Sequence, residues 1–442
     1  MKFRLLVSAM LLTAGTLCYG QAVPAGGTPV SSMTTNTVGP NLPDLDGIVH
    51  YALSAAEIAQ LGYYGSGVTT YSTTLSGDVS YTAKSVNFPT NLILSGGVIL
   101  ANQQAQSTTG YVSAAISQGL VTRSWVFNIS DSFSFLPQSP TTGLSGIPGV
   151  GDLGATPVQG PVAGPAGGIL STAGNRIANS LSGSAERQLA RSTSISGAGS
   201  WTKLHFLDSD SSFDNTQITG TVALNRRLDA RSSVSLNAVY STFSFGAGAT
   251  VNSEPDIETR GINLSYQRVL SRTLSMSVSA GPQWISSSNS TLIPSSINAA
   301  ASAGLSYQRG FTSASVGYAH GVNGGSGVLP GAISDSVSAS LGHTFGRIWV
   351  ASLNAAYSRS TGLTQIFDGT SIVPINEQFD TVFGGAQLTR RISTHFSGYV
   401  SYEAQNQTQN NNLSLPNALN GTSQTFAVGI TYTPRSTRLG QF

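Results

Sequence analysis

The sequence predicts an all-β chain closed into a single transmembrane antiparallel up-and-down barrel, and three observations carry that prediction. Charged residues make up only 9% of the 442 residues, against roughly a quarter in an ordinary soluble protein. Apolar residues reach only 40%, so Ser, Thr, Asn and 50 glycines fill the place of the missing charge. Many segments alternate apolar with small polar residues at a period of two, the period of a strand. Beyond the N-terminus no apolar run reaches the roughly 20 residues that a spanning helix needs. The 8% aromatic content and a net charge of +2 exclude a disordered chain.

Residues 1–22 read as a signal peptide. Lys2 and Arg4 form a basic start, Leu5 to Leu17 an apolar stretch, and Gly20 or Ala22 a small residue for cleavage. Cys18 lies inside this segment, so the exported chain has no thiol for a disulfide or a metal. Leu17 stands where a lipidation site needs a small residue. Residues 23–71 read as a linker marked by Pro24, Pro29, Pro40 and Pro43. Within it Ser54-Ala-Ala-Glu57 has the spacing of a capping box and predicts a short helix through about Leu61. This unit would be a periplasmic tether or a small plug.

The barrel is expected over residues 72–442. Leu274, Met276, Val278, Ala280 and Trp284 alternate with Ser275, Ser277, Ser279, Gly281 and Gln283. The same dyad runs through Trp349 to Tyr357, through Trp125 to Phe135, and through Phe426 to Tyr432, the expected closing strand. In a soluble sandwich the polar face would carry Lys and Glu. Here it carries Ser, Thr, Gly and Asn, the mark of strands that face lipid outside and water inside. Leu274, Val278, Leu353 and Val428 are therefore expected to face hydrocarbon, and Ser275, Ser277 and Thr431 the lumen. About seventeen strand candidates follow Thr74, and single-chain bacterial barrels have even numbers, so 16 or 18 strands are expected.

Short links recur about every forty residues, with polar loops between them, giving short periplasmic turns and longer extracellular loops. The short turns gather arginine: Arg191, Arg227, Arg231, Arg268, Arg272, Arg309, Arg347, Arg390 and Arg391 form a predicted periplasmic rim able to meet phospholipid headgroups. Acidic residues favour the long loops, among them Asp208, Asp210, Asp214, Glu254, Asp256, Glu258, Asp368 and Glu377.

From about residue 70 to 442 the chain resembles porin-type bacterial outer-membrane β-barrel proteins, and Leu136 to Gly154 is similar to a segment of uncharacterised barrels of that kind. The resemblance implies an outer-membrane location, contact with outer-membrane lipids and the barrel-assembly machinery, and passage of small solutes. A terminal aromatic read by that machinery is matched by Phe442, although Gly440 and Arg438 depart from the apolar residues preferred there. The sequence leaves oligomerisation open.

The Gly/Pro-rich loop of residues 137–168 is the longest stretch without periodicity, and loops of that length are functional or disordered. In porins one long loop folds into the lumen and narrows the pore, so the resemblance makes this loop, with Pro137, Pro140, Pro148, Asp152, Pro157, Pro161 and Pro165, the candidate constriction; a disordered extracellular loop is the alternative.

Nothing in the sequence points to catalysis or a cofactor. His50, His205, His320, His343 and His395 lack metal-ligand spacing, and Asp208, Asp210 and Asp214 lack the Gly and terminal Glu of a calcium loop. No phosphate-binding loop follows a strand, and no basic patch supports nucleic-acid binding. The expected function is a porin-like channel for passive diffusion of small polar solutes. The alternatives are a polysaccharide-export barrel and a structural or adhesive surface barrel without transport.

Overall fold

The structure is a computed structural model. It describes residues 47–62, 69–83, 85, 87–101, 108–136, 169, 175–207, 214–246, 256–324, 328–346, 348–367, 372–374, 377–410, 420–435 and 437–438. The expected signal peptide, the linker up to residue 46, Arg347, Phe442 and the seven constriction-loop residues named above lie outside that set.

The strands in chain order are β1 (Ile48–Leu61), β2 (Thr70–Thr82), β3 (Thr90–Ala101), β4 (Thr109–Val121), β5 (Trp125–Leu136), β6 (Arg176–Ala190) and β7 (Thr193–Phe206). They continue with β8 (Asn215–Arg227), β9 (Ser232–Phe245), β10 (Asp256–Val269), β11 (Leu274–Ser287), β12 (Ser296–Arg309), β13 (Thr312–Asn323), β14 (Ala332–Phe345) and β15 (Trp349–Gly362). A small hairpin of β16 (Gln365–Phe367) and β17 (Ile372–Pro374) precedes β18 (Gln378–Arg391), β19 (Phe396–Gln409), β20 (Gly421–Tyr432) and β21 (Thr437–Arg438).

Each long strand pairs antiparallel with its chain neighbours, β15 passing to β18 across the small hairpin. The ring closes where β20 meets β1, from Leu53 opposite Tyr432 to Leu61 opposite Gln424. β21 lengthens the seam by pairing Arg438 with Ile48. The result is a closed barrel of 18 strands, one of the two numbers expected. Short turns such as 191–192, 228–231, 270–273 and 310–311 all lie at one rim, and the longer connections at the other.

The predicted helix over Ser54 to Leu61 is corrected: that segment is the second half of β1. Its alternation explains why. Ala52, Ser54, Ala56, Ile58 and Gln60 are buried toward the interior, while Tyr51, Leu53 and Leu61 are exposed outside. A short helix there would leave the edges of β2 and β20 unpaired in hydrocarbon, where each open backbone group costs several kcal/mol. The strand therefore wins over the local capping pattern, and the barrel begins at residue 48 instead of 72.

Strand parity separates two surfaces. Val278, Leu353 and Val428 are exposed on the outside, while Thr431 is buried within. Across the inner wall, hydroxyls pair from strand to strand: Ser95 with Ser113 at 2.6 Å, Ser130 with Ser182 at 2.6 Å and Ser279 with Ser302 at 2.7 Å. Each pair joins residues directly opposite in register. Such hydroxyl pairs stabilise neighbouring strands by about 0.2–1 kcal/mol. Tyr111 and Tyr399 lie flat against the inner wall over glycines. A Cβ on Gly97 would come within 2.6 Å of the Tyr111 hydroxyl, and one on Gly429 within 2.5 Å of the Tyr399 ring.

Outside, aromatic side chains form two belts. Trp125, Trp349, Phe396 and Tyr432 lie toward the short-turn rim, and Trp201, Tyr240, Trp284, Tyr318 and Tyr357 toward the long-loop rim. On β15 the two belts are eight residues apart, about 20 Å of height for a strand tilted by roughly 40°. An apolar exterior around a polar interior, with no sheet edge, makes this a membrane-spanning barrel of the outer-membrane type.

The facing assignment has a direct test. Val278→Arg should destabilise the refolded barrel by about 2–4 kcal/mol in denaturant titrations in lipid vesicles, whereas Ser277→Arg should cost far less. Equal losses would contradict it.

Candidate functional site

The site is the lumen. Ser54, Ser76, Thr74, Ser196, Thr202, Gln217, Thr219, Ser241, Thr381, Gln405, Gln407 and Ser423 are buried polar residues on the inner wall. Their positions follow from the period of two, which puts every second side chain of every strand inside. These hydroxyls and amides are nearly closed to solvent and bond to one another along the wall, as Thr219 does to Ser241 and Thr381 to Gln407, which leaves the wall without strong charge. Acidic exceptions exist. Asp78 on β2 and Glu186 on β6 have inward parity, as the sequence suggested, and Glu403 on β19 joins them. Sequence reading missed Glu403 because Tyr402 and Ala404 blur the dyad around it, although Tyr399, Ser401 and Gln405 share its face.

At the short-turn mouth, parity divides the predicted rim arginines. Arg268, Arg309 and Arg390 belong to the outward set with Leu264, Leu305 and Leu388, as does Arg226, a strand-end arginine beside Arg227 that shares the parity of Leu224. The guanidinium of Arg390 lies over Trp349 at 5.2 Å, and that of Arg187 over Trp125 at 5.4 Å. Arg227 and Arg391 belong to the inward set instead. Each fastens the following turn, Arg227 Nε donating to the Asp229 carbonyl at 3.0 Å and Arg391 Nε to the Ser393 carbonyl at 3.1 Å. Arg191, Arg231 and Arg272 stand in the turns themselves.

Four of the predicted residues, Arg191, Arg227, Arg231 and Arg268, meet around one cavity of about 320 Å³ at this mouth, with Glu186, Gln188, Asn225 and Gln267 in its wall. Asp229 at its edge accepts from the backbone N–H of Arg231 at 2.5 Å and of Ser232 at 2.7 Å. Those bonds, that of Arg231 foremost, hold its carboxyl below the usual carboxylate range.

The long-loop mouth is apolar by contrast. Phe243, Phe245, Ile257, Ile285, Ile293 and Val322 pack together there, with Leu292, Ile333 and Leu363 against them. A second cluster joins Ile169 to Val328, Leu329, Ala332 and Phe379. Ile169 belongs to the connection between β5 and β6, the fifth and sixth strands of the ring. Ala332 and Phe379 belong to β14 and β18, the fourteenth and sixteenth. This connection therefore reaches the opposite side of the mouth, where Ile169 is fully buried. Beside that cluster Glu377 is buried, its carbonyl accepting from Gly362 N–H at 3.0 Å. Burial raises its carboxyl above the usual range.

Several other titratable groups form pairs. His205 binds Asp214, whose other oxygen accepts from Phe206 N–H at 2.9 Å. On the outer wall His320 contacts Asp335 at 2.8 Å and Arg359 contacts Asp380 at 2.8 Å. Among the described residues no group of three or more His, Cys, Asp or Glu is placed to hold a metal ion.

No family model and no curated protein sequence matches the chain. Solved structures similar to it include OpdQ of Pseudomonas aeruginosa, at 10% identity and a TM-score of 0.40 over 90% of this chain and 100% of that one. OccAB4 of Acinetobacter baumannii is similar at 10% identity and a TM-score of 0.44, with the same coverage. OccK2 of Pseudomonas aeruginosa in complex with glucuronate is similar at 10% identity and a TM-score of 0.42, over 87% of this chain and 97% of that one. Scores and identities this low say nothing of a solute.

The buried Glu377 gives a pH prediction. Its folded pKa lies above the unfolded one, so ionisation opposes the folded loop. The cost is absent below the unfolded value, sets in as pH rises past it, and is complete above the folded one. Glu377→Gln should therefore raise the Tm of the barrel relative to wild type at pH 8 and leave it unchanged at pH 4. A Tm difference that is the same at both pH values would contradict this.

Proposed function

We propose that the protein is a porin-like channel for passive diffusion of small polar solutes across the outer membrane. The observation that carries this reading is the inner wall. A closed 18-strand barrel spends its interior on Ser, Thr, Asn and Gln that pair laterally along the wall. A transmembrane barrel has a polar interior whether it is open or plugged, and an inner wall of small side chains favours the open, water-filled case. The channel needs no catalyst and no cofactor. Its outward rim arginines, stacked on Trp125 and Trp349, suit phospholipid headgroups on the periplasmic side.

The connection between β5 and β6 is the proposed constriction. Ile169 supports this, because its burial against β14 and β18 draws the connection across the mouth. Pro137, Pro140, Pro148, Asp152, Pro157, Pro161 and Pro165 would then lie over or within the passage, with Asp152 the only charged residue of the 137–168 stretch. Selectivity at a constriction follows the charge gathered there, so weak ion preference is expected. An export barrel or an adhesive barrel remains the alternative outcome of the test.

Planar-bilayer recording of the refolded protein should show open channels with little preference between K⁺ and Cl⁻. Deleting residues 141–162 should raise the conductance. Strong ion preference, or unchanged conductance after the deletion, would overturn the corresponding half of the proposal. Electrical silence of both forms would favour the structural barrel.

A further inference from the structure

We infer that the inner wall around Glu403 is a binding site for the primary ammonium group of a small solute, within the channel reading given above. Three oxygens gather there. Glu403 is inward on β19 and is the register partner of Gly385 on β18, which in turn is the partner of Asn354 on β15. Register partners lie about 4.5–5.5 Å apart. Because Gly385 has no side chain, the Asn354 amide extends over it: a Cβ there would come within 3.2 Å of Asn354 Cγ and closer still to Oδ1. The amide is thereby laid across β18 on the side of Glu403, and its Oδ1 is buried without a hydrogen-bond partner. The third oxygen is Ser401 Oγ, two residues from Glu403 on the same face of β19. Ser401 is only 4% exposed, and its hydroxyl also lacks a partner.

Glu403 itself joins no hydrogen bond and no ion pair among the described residues. No basic residue of the wall compensates it. Among the described residues that face inward on β15, β18, β19, β20 and β1, the one Lys or Arg is Arg391. It stands six residues from Gly385, about 20 Å along the strand, and is bonded to the Ser393 carbonyl. Glu403 and Asn354 are half-buried, so a solute in the lumen can reach them.

Acceptors left unpartnered inside a protein are costly, and a ligand that brings donors and positive charge removes the cost. The number of donors selects the class. A primary ammonium carries three N–H donors and no acceptor, one donor for each oxygen, and its bond to a carboxylate is of the stronger, charge-assisted kind. Calcium takes about six to eight oxygens and magnesium demands an octahedral set, more than this wall supplies. An anion would be repelled by Glu403. One carboxylate on the wall retains a cation without filtering ions, because ion preference is set at the constriction.

The test uses ligand-observed NMR titration of the full chain, refolded in non-ionic detergent at pH 8, with propylammonium and propyltrimethylammonium. Propylammonium should bind best. The trimethyl analogue keeps the charge without the N–H donors and should bind at least tenfold more weakly. Glu403→Gln should weaken propylammonium at least tenfold, and Asn354→Asp, which adds a second carboxylate, should tighten it. Both variants should keep heat-modifiable migration as proof of folding. Equal binding of the two ammonium ions, no binding of propylammonium, or indifference to Glu403→Gln would overturn the site. Displacement of propylammonium by equimolar KCl would overturn it as well, in favour of a metal cation. Binding is read without conductance, so a silent barrel that binds propylammonium would sink the channel reading and leave this site standing.

Discussion

The rest of the structure depends on one constraint: within hydrocarbon every backbone N–H and C=O must find a partner in the protein. A sheet satisfies that demand only by having no edge. The seam between β20 and β1 is where this chain meets it, through nine registered pairs from Leu53 to Leu61. Closure in a bilayer then dictates the alternation of the wall and the grouping of turns at one rim. It also outranks local preference. Ser54-Ala-Ala-Glu57 has the spacing of a helix start, yet a single turn of helix forms at best marginally alone. A strand at the same place satisfies the open edges of two neighbours at once.

Closure turns the usual core inside out. The interior is assembled from hydroxyl and amide pairs, and the aliphatic residues that would be a soluble protein's core are spent on the exterior. Ile218, Val222, Leu264 and Ile297 are all at least half exposed, a placement costly in water and favourable in lipid. Packing inside is correspondingly local. Tyr111 and Tyr399 fill the lumenal surface of glycines on adjacent strands, and the apolar clusters around Phe243 and Ile169 gather at the long-loop mouth.

Much of this was legible because a strand writes its environment into every second residue. β11, β15 and β20 announce themselves through five or so aliphatic or aromatic residues in step. β1 was not legible: Ala occupies both of its faces, and its proline-marked approach resembles a linker. The one strand missing from the sequence count was this one. Exceptions to parity were also hidden. Asp131 stands in the outward set of β5 between Ile129 and Phe133, opposite Ile116 and Leu181, and Glu403 stands inward on β19. A single charged residue within an alternating run carries no periodic signal of its own. The path of the long β5–β6 connection was legible only as length and composition, because contact between Ile169 and Phe379 is set by a ring of strands the local sequence cannot see.

The rim arginines show the same limit at its sharpest, and the physical rule that resolves it. Two arginines in succession at a strand end, Arg226-Arg227 and Arg390-Arg391, look alike in sequence, as solvated turn charge. Adjacent residues on a strand face opposite ways, so each such pair must divide its charge between lipid and lumen. Arg390 goes outward, over Trp349, where an amphipathic side chain is at home beside headgroups. Arg391 goes inward and fastens its turn through the Ser393 carbonyl, as Arg227 does through Asp229. β8 and β18 lie eight strands apart in a ring of eighteen, so the two inward arginines stand on nearly opposite sides of the mouth. Glu186 lies on the β8 side, two strands away on β6. One arginine therefore has an acid on its side of the mouth, and the other stands among hydroxyls and amides. The asymmetry of the mouth, invisible in the composition of the turns, is fixed by parity and ring position alone.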